Sequence, residues 1–227
     1  VLGRVVHPRK VKHVIFRHGR NLKISEDGKN LVSQVNGHVT LEGDKIFVSN
    51  TLDLVNVDNS TGNINYSGDV VITGNVLAGF EVRATGDVSV SGIVEGATII
   101  AGGTVTLNRG VQGMNKAVIQ AGGNVVSKFI ESAQSVVAGG NIEADSILHS
   151  KVIAKGNVIA SGKNGLIVGG EVKATLMIQA KTIGNEMGTQ TTIGVGVDPA
   201  KKKRVDELKK SLTDIGNNKI QLNQILS

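Results

Sequence analysis

Four polar residues of this 227-residue chain come together when one counts along it. Glu95, Gln112, Glu131 and His149 each lie eight or nine residues beyond a recurring glycine, and each follows an apolar residue, Val94, Val111, Ile130 or Leu148. If those glycines mark equivalent corners of a coil, the four form a vertical polar strip. Carboxylates two coils apart would then stand roughly 10 Å from each other. That is wide for acid–base work on one bond and at the edge of the separation an inverting glycosidase uses. The strip is expected to be a partner-contact surface, with a carbohydrate-active site as the lesser reading.

Other chemistry finds less support. His7, His13 and His18 are about five residues apart, which puts them on differing faces of a strand or helix, so no metal site is expected. The chain has no cysteine, which excludes a disulfide framework and any thiolate site. Gly194-Val195-Gly196 runs on into Val-Asp-Pro, and no Gly-Lys-Ser/Thr loop exists, so no nucleotide cofactor is expected. Asn59-Ser60-Thr61 matches a glycosylation acceptor by chance. No catalytic, cofactor-binding or metal residue is therefore assigned.

The net charge of +6 is unevenly placed. Residues 1–30 carry eight Lys/Arg and two acids, residues 31–67 one and four, residues 68–197 nine and nine, and residues 198–227 seven and four. The central body is neutral. Aromatics make up only 2% of the chain, so basic residues are not interleaved with stacking rings, which argues against nucleic acid as a partner. No apolar run approaches the ~20 residues that cross a bilayer, and the start lacks a signal pattern. A cytoplasmic protein is expected, and the missing initiator Met suggests a piece of a longer one.

The elements that must position the strip are repeats. Six segments share the pattern h-x-[A/V]-x-G-x-[V/I]-x-h, of which Val82-Arg83-Ala84-Thr85-Gly86-Asp87-Val88-Ser89-Val90 is the first. The others begin at Ile99, Ile119, Val136, Val152 and Leu166, with anchor glycines Gly103, Gly123, Gly140, Gly156 and Gly170. A looser copy runs Ile64, Tyr66, Gly68, Val70, Ile72. Successive glycines are 18, 17, 20, 17, 16 and 14 residues apart, too short for a strand plus a helix. Alternating apolar residues mark half-buried strands, and the glycine is expected to free the backbone for a corner. Stacked coils would align Val88, Val105, Val125, Ile142, Val158 and Val172 in one internal file. Asp69, Asp87, Thr104, Asn124, Asn141, Asn157 and Glu171 would form a polar column beside it. Such residues can hydrogen-bond along the axis, although turn-tolerant Asp and Asn are the favoured explanation.

Residues 1–61 lack the repeat and read as a small β module with turns at Glu26-Asp27-Gly28, Asn36-Gly37 and Gly43-Asp44. It has the look of a lipoyl-type half-barrel without a carrier lysine. Asp198-Pro199 then opens a helix. Val205, Leu208, Leu212, Ile215, Leu222 and Leu226 fall at coiled-coil steps with Lys219 filling one slot, interrupted by Gly216-Asn217-Asn218. A helical hairpin or a helix lying back on the coils fits nearly as well.

The phrases STGNINYSGDVVITGNVLAGFEVRATGDVSVSGIVEGATIIAGG, KFIESAQSVVAGGNI, GLIVGG and KTIGNEMGTQTTIGVG together resemble the bacterial flagellar assembly protein A (FapA)-like family. The likeness runs back through GRNLKISEDGKNL and on into the Lys-rich helix. It implies a cytoplasmic bacterial protein with a C-terminal β-helix, a helical extension, no established catalytic residues and, for some members, a link to polar flagellum assembly. The larger N-terminal region usual in that family is missing here.

These readings define an all-β chain: a single-stranded parallel β-helix (solenoid) of about seven short coils at residues 62–197, between the β module at 1–61 and a C-terminal helix or coiled coil at 198–227. The expected function is that of a non-enzymatic scaffold or protein-interaction module, self-associating through the helix or the coil ends. A bactofilin-like self-assembling element is the alternative.

Overall fold

The computed structural model describes Gly3 and residues 17–196, 204–205 and 207–215. The chain divides into two compact units, Val1–Thr51 and Leu52–Ser227.

The first unit holds five short strands: β1 (Arg17–His18), β2 (Leu22–Ile24), β3 (Leu31–Ser33), β4 (His38–Glu42) and β5 (Lys45–Ser49). β2 and β3 form an antiparallel hairpin around the Asp27-Gly28 turn. β4 and β5 form another, with Glu42 opposite Lys45 across Gly43-Asp44. The Asn36-Gly37 pair is different. β3 and β4 do not pair, and Gly37 instead passes so close to Ser49 that a Cβ there would lie 2.1 Å from its carbonyl oxygen. Close approach of two backbones, not a hairpin turn, requires that glycine.

The second unit is a parallel solenoid of eight turns, each laying one short segment on each of three faces. On the first face Val70, Val88, Val105, Val125, Ile142, Val158 and Ile178 stack in register. On the second the file is Val57, Val76, Val94, Val111, Ile130, Ile147, Ile167 and Ile183. On the third it is Ile64, Val82, Ile99, Ile119, Val136, Val152, Val172 and Ile193. Most of these side chains are fully buried in one continuous core. Each contributes on the order of 1.5–3 kcal/mol. Thin layers of β-branched residues suit this interior because there is no room for rings between the faces.

Several expectations change at this point. The first turn begins at β6 (Thr51–Leu54), before residue 62, because Val57 and the Asp58–Thr61 loop complete a turn that carries no anchor glycine. Val172 belongs to the third file, not the first, where Ile178 takes the seventh place. The GLIVGG phrase imitates the repeat one face too early. The true seventh copy is Val172, Ala174, Ile178, with Leu176 standing where the others have glycine. Glu171 accordingly leaves the polar column and lies on the third face, where Lys151 and Lys173 both pair with it.

The anchor glycines also act differently from expectation. None of Gly86, Gly103, Gly123, Gly140 and Gly156 has a positive φ. Their missing Cβ makes room: a Cβ on Gly103 would lie 2.0 Å from Asp87 Oδ1, and one on Gly156 would lie 2.2 Å from Asn141 Oδ1. Those carboxylate and amide oxygens reach along the axis. Asp69 Oδ1 accepts from Asp87 N–H at 2.8 Å, and Asp87 Oδ1 from Thr104 N–H at 2.7 Å. Asn124 Oδ1 accepts from Asn141 N–H at 2.8 Å, and Asn141 Oδ1 from Asn157 N–H at 2.9 Å. The column is thus a hydrogen-bonded ladder, not merely a row of tolerant turn residues. A second ladder at the next corner joins Asn56 to Asn75 N–H and Asn75 to Ile93 N–H.

After the solenoid the described residues at 204–205 and 207–215 are helical and exposed, so their apolar side chains do not lie against the coils. His7, His13, Leu222 and Leu226 fall outside the described residues.

Candidate functional site

The second face presents the predicted strip. Glu95 stacks on Gln112, and Gln112 on Glu131, as the outward residues of three successive strands whose inward neighbours are Val94, Val111 and Ile130. Each carboxylate is part-exposed and Gln112 is open to solvent. Among the described residues neither Glu95 nor Glu131 enters an ion pair. Their charges face outward unspent.

His149 does not complete the column. Leu148 stacks on Glu131, and His149 sits one residue further, at the corner leading to the third face. Counting nine from Gly140 overshoots because this turn, like the Val125–Glu131 turn before it, runs unbroken from the first face to the second and reaches the strip in eight residues, at Leu148. Ser132, His149 and Gly169 occupy this corner in successive turns, all with positive φ: 48°, 48° and 72°. For serine and histidine that conformation costs about 1 kcal/mol or more. The imidazole lies over Gly169, where a Cβ would come within 2.5 Å of Nδ1. The glycine therefore serves both its backbone angle and its neighbour's ring.

Beside Glu131 the face opens into a shallow groove of about 230 Å³, lined by Lys128, Phe129, Glu131, Asp145, Leu148 and Asn164 among others. Phe129 lies against the vacant side of Gly110 in the turn before, where a Cβ would be 2.7 Å from its ring. An aromatic covering a cross-strand glycine is a recognised stabilising pair in sheets. Asp145 Oδ1 accepts from Asn164 N–H at 3.0 Å and so fixes the loop that closes the groove. Counting from glycines missed this feature. The signal available was a lone Phe in strands otherwise nearly free of rings, opposite a glycine.

The arrangement offers an apolar floor, two carboxylates and one ammonium on a rigid sheet. It suits an extended peptide or a partner's side chains better than bond cleavage, since Glu95 and Glu131 are separated by two strand spacings, roughly 10 Å. No group of His, Asp or Glu that could hold a metal occurs among the described residues. No helix among them is long and apolar enough to cross a membrane.

The model of the FapA family, described as the Flagellar Assembly Protein A beta solenoid domain, matches residues 50–227. No curated protein and no solved structure matches the chain.

Proposed function

As this chain belongs to the FapA flagellar assembly family, we propose that it is a non-enzymatic scaffold in flagellar assembly, cytoplasmic, whose solenoid holds a protein partner on its second face. The observation that carries this reading is the in-register Glu95–Gln112–Glu131 column, unpaired and adjoining the Phe129 groove. A regular sheet fixes such groups at strand spacing without any loop to order on binding, which lowers the entropic cost of docking. Reversing the charge of Glu95 and Glu131 together to Arg should leave the fold intact, since both side chains point outward. In cells carrying only that variant, flagella counted by electron microscopy should fall sharply at unchanged protein level. Normal flagellation would refute the role given to this face.

The eighth turn favours a second reading. Its strands Met177–Ala180, Thr182–Ile183 and Thr191–Val195 are followed by no further turn among the described residues, and Ile183, Ile193 and Val195 are exposed. An open parallel edge of this kind can template another chain, which supports self-association at the coil ends or a bactofilin-like polymer. Filaments of the purified protein under electron microscopy would favour the polymer, and a strict monomer in sedimentation at high concentration would remove both.

A further inference from the structure

The helix beyond the solenoid carries an apolar stripe that the described residues leave bare. Val205, Leu208, Leu212 and Ile215 succeed one another at steps of three, four and three, and they are 48%, 49%, 70% and 65% exposed. These are heptad a and d positions, the seam by which one helix packs against another. An isolated amphipathic helix of a few turns is marginal in water unless its stripe is covered.

The flanks of the stripe say what covers it. With Val205 at position a, the bordering g and e positions are Arg204, Lys209 and Ser211. The described acids, Glu207 and Asp214, both fall at position c, away from the seam. A parallel second copy would set Arg204 against the neighbour's Lys209, and an antiparallel copy would bring no carboxylate to either border. Like charges at these positions reject a partner, and opposite charges select one. The Arg204–Glu207 contact, 3.6 Å and largely exposed, is too weak to withhold Arg204 from a better partner.

We propose that this helix docks an acidic amphipathic helix of a different protein, whose apolar stripe covers Val205, Leu208, Leu212 and Ile215 and whose Glu or Asp side chains meet Arg204 and Lys209. It concerns the helix alone and stands or falls independently of the second solenoid face.

The test titrates the full chain with two synthetic helices of about four heptads, identical in their Ile and Leu seam but carrying Glu or Lys at every e and g position, read by fluorescence anisotropy. The Glu peptide should bind at least about ten-fold more tightly than the Lys peptide, with the gap narrowing as salt rises. Leu208→Glu should abolish binding. Arg204→Glu with Lys209→Glu should reverse the preference, and because all three positions are exposed these variants keep the fold. Equal binding of both peptides, binding of neither, or self-association of the chain that Leu208→Glu removes would each overturn the proposal.

Discussion

At the scale of single residues, the solenoid depends on oxygen atoms that reach from one turn to the next and on glycines that make way for them. Asp87 and Gly103 are the clearest pair, because the carboxylate occupies the place where a Cβ on Gly103 would be. Gly103→Ala is expected to cost about 1–3 kcal/mol by overpacking. Adding Asp87→Ala removes the obstructing oxygen, so the double variant should be more stable than the sum of the two losses, a coupling that a double-mutant cycle in urea measures directly. A merely flexible corner glycine would show no coupling. Glu171 supplies a second test. A hydrogen bond from Lys173, followed by the charges of Lys173 and Lys151, holds its carboxyl below the ordinary 4.5. Its folded pKa is lower than its unfolded one, so its stabilisation is present above about pH 4.5 and is lost as the pH falls through the folded value. Glu171→Gln should therefore lose stability at pH 7, and its gap to the parent should narrow as the pH falls below about 4.5. A gap that persists in acid would mean that packing, not charge, is what Glu171 contributes.

At the scale of strands and corners, the ladder is broken at one place that can be mended. Thr104 accepts nothing from the next turn, whereas Asn at the same corner in the turns above does. Thr104→Asn would join the Asp69–Asp87 run to the Asn124–Asn141 run, with Gly123 already leaving room. A stabilisation of about 1 kcal/mol is expected, readable as a raised urea midpoint with unchanged slope. Core positions should behave in the opposite sense. Ile119 is fully buried on the third face, and Ile119→Ala should cost about 2–5 kcal/mol. Much of this layer was legible in the sequence, because period-two apolar spacing around a glycine is what a half-buried strand needs on either side of a corner. Legibility failed where one signal had two physical causes. Gly170 has a positive φ and sits on another face, while Leu176, exposed and past the end of the ladder at Asn157, keeps the corner without being glycine. His149 slipped out of the strip for a related reason: fixed counting assumes that every corner uses the same number of residues, and a strand that runs through its corner does not.

At the scale of the whole chain, a neutral solenoid displays unpaired carboxylates on one face and is followed by a helical segment with a basic-bordered seam, and each surface is proposed above to hold its own partner. The composition announced a thin aliphatic core and denied thiolate chemistry, but the groove beside Phe129 could not be read from it, since its lining comes from successive turns: Phe129 and Glu131, then Asp145 and Leu148, then Asn164. Whether the second face holds a partner or turns over a substrate can be decided by replacing Glu95 and Glu131 together with Gln and counting flagella on cells that carry only this variant. Catalysis would need the carboxylates themselves, whereas a contact surface keeps most of its shape and hydrogen-bonding capacity with amides. Flagella near the parental number are expected with the Gln pair and few with the Arg pair; loss of flagella equally complete in both would rule out a contact surface.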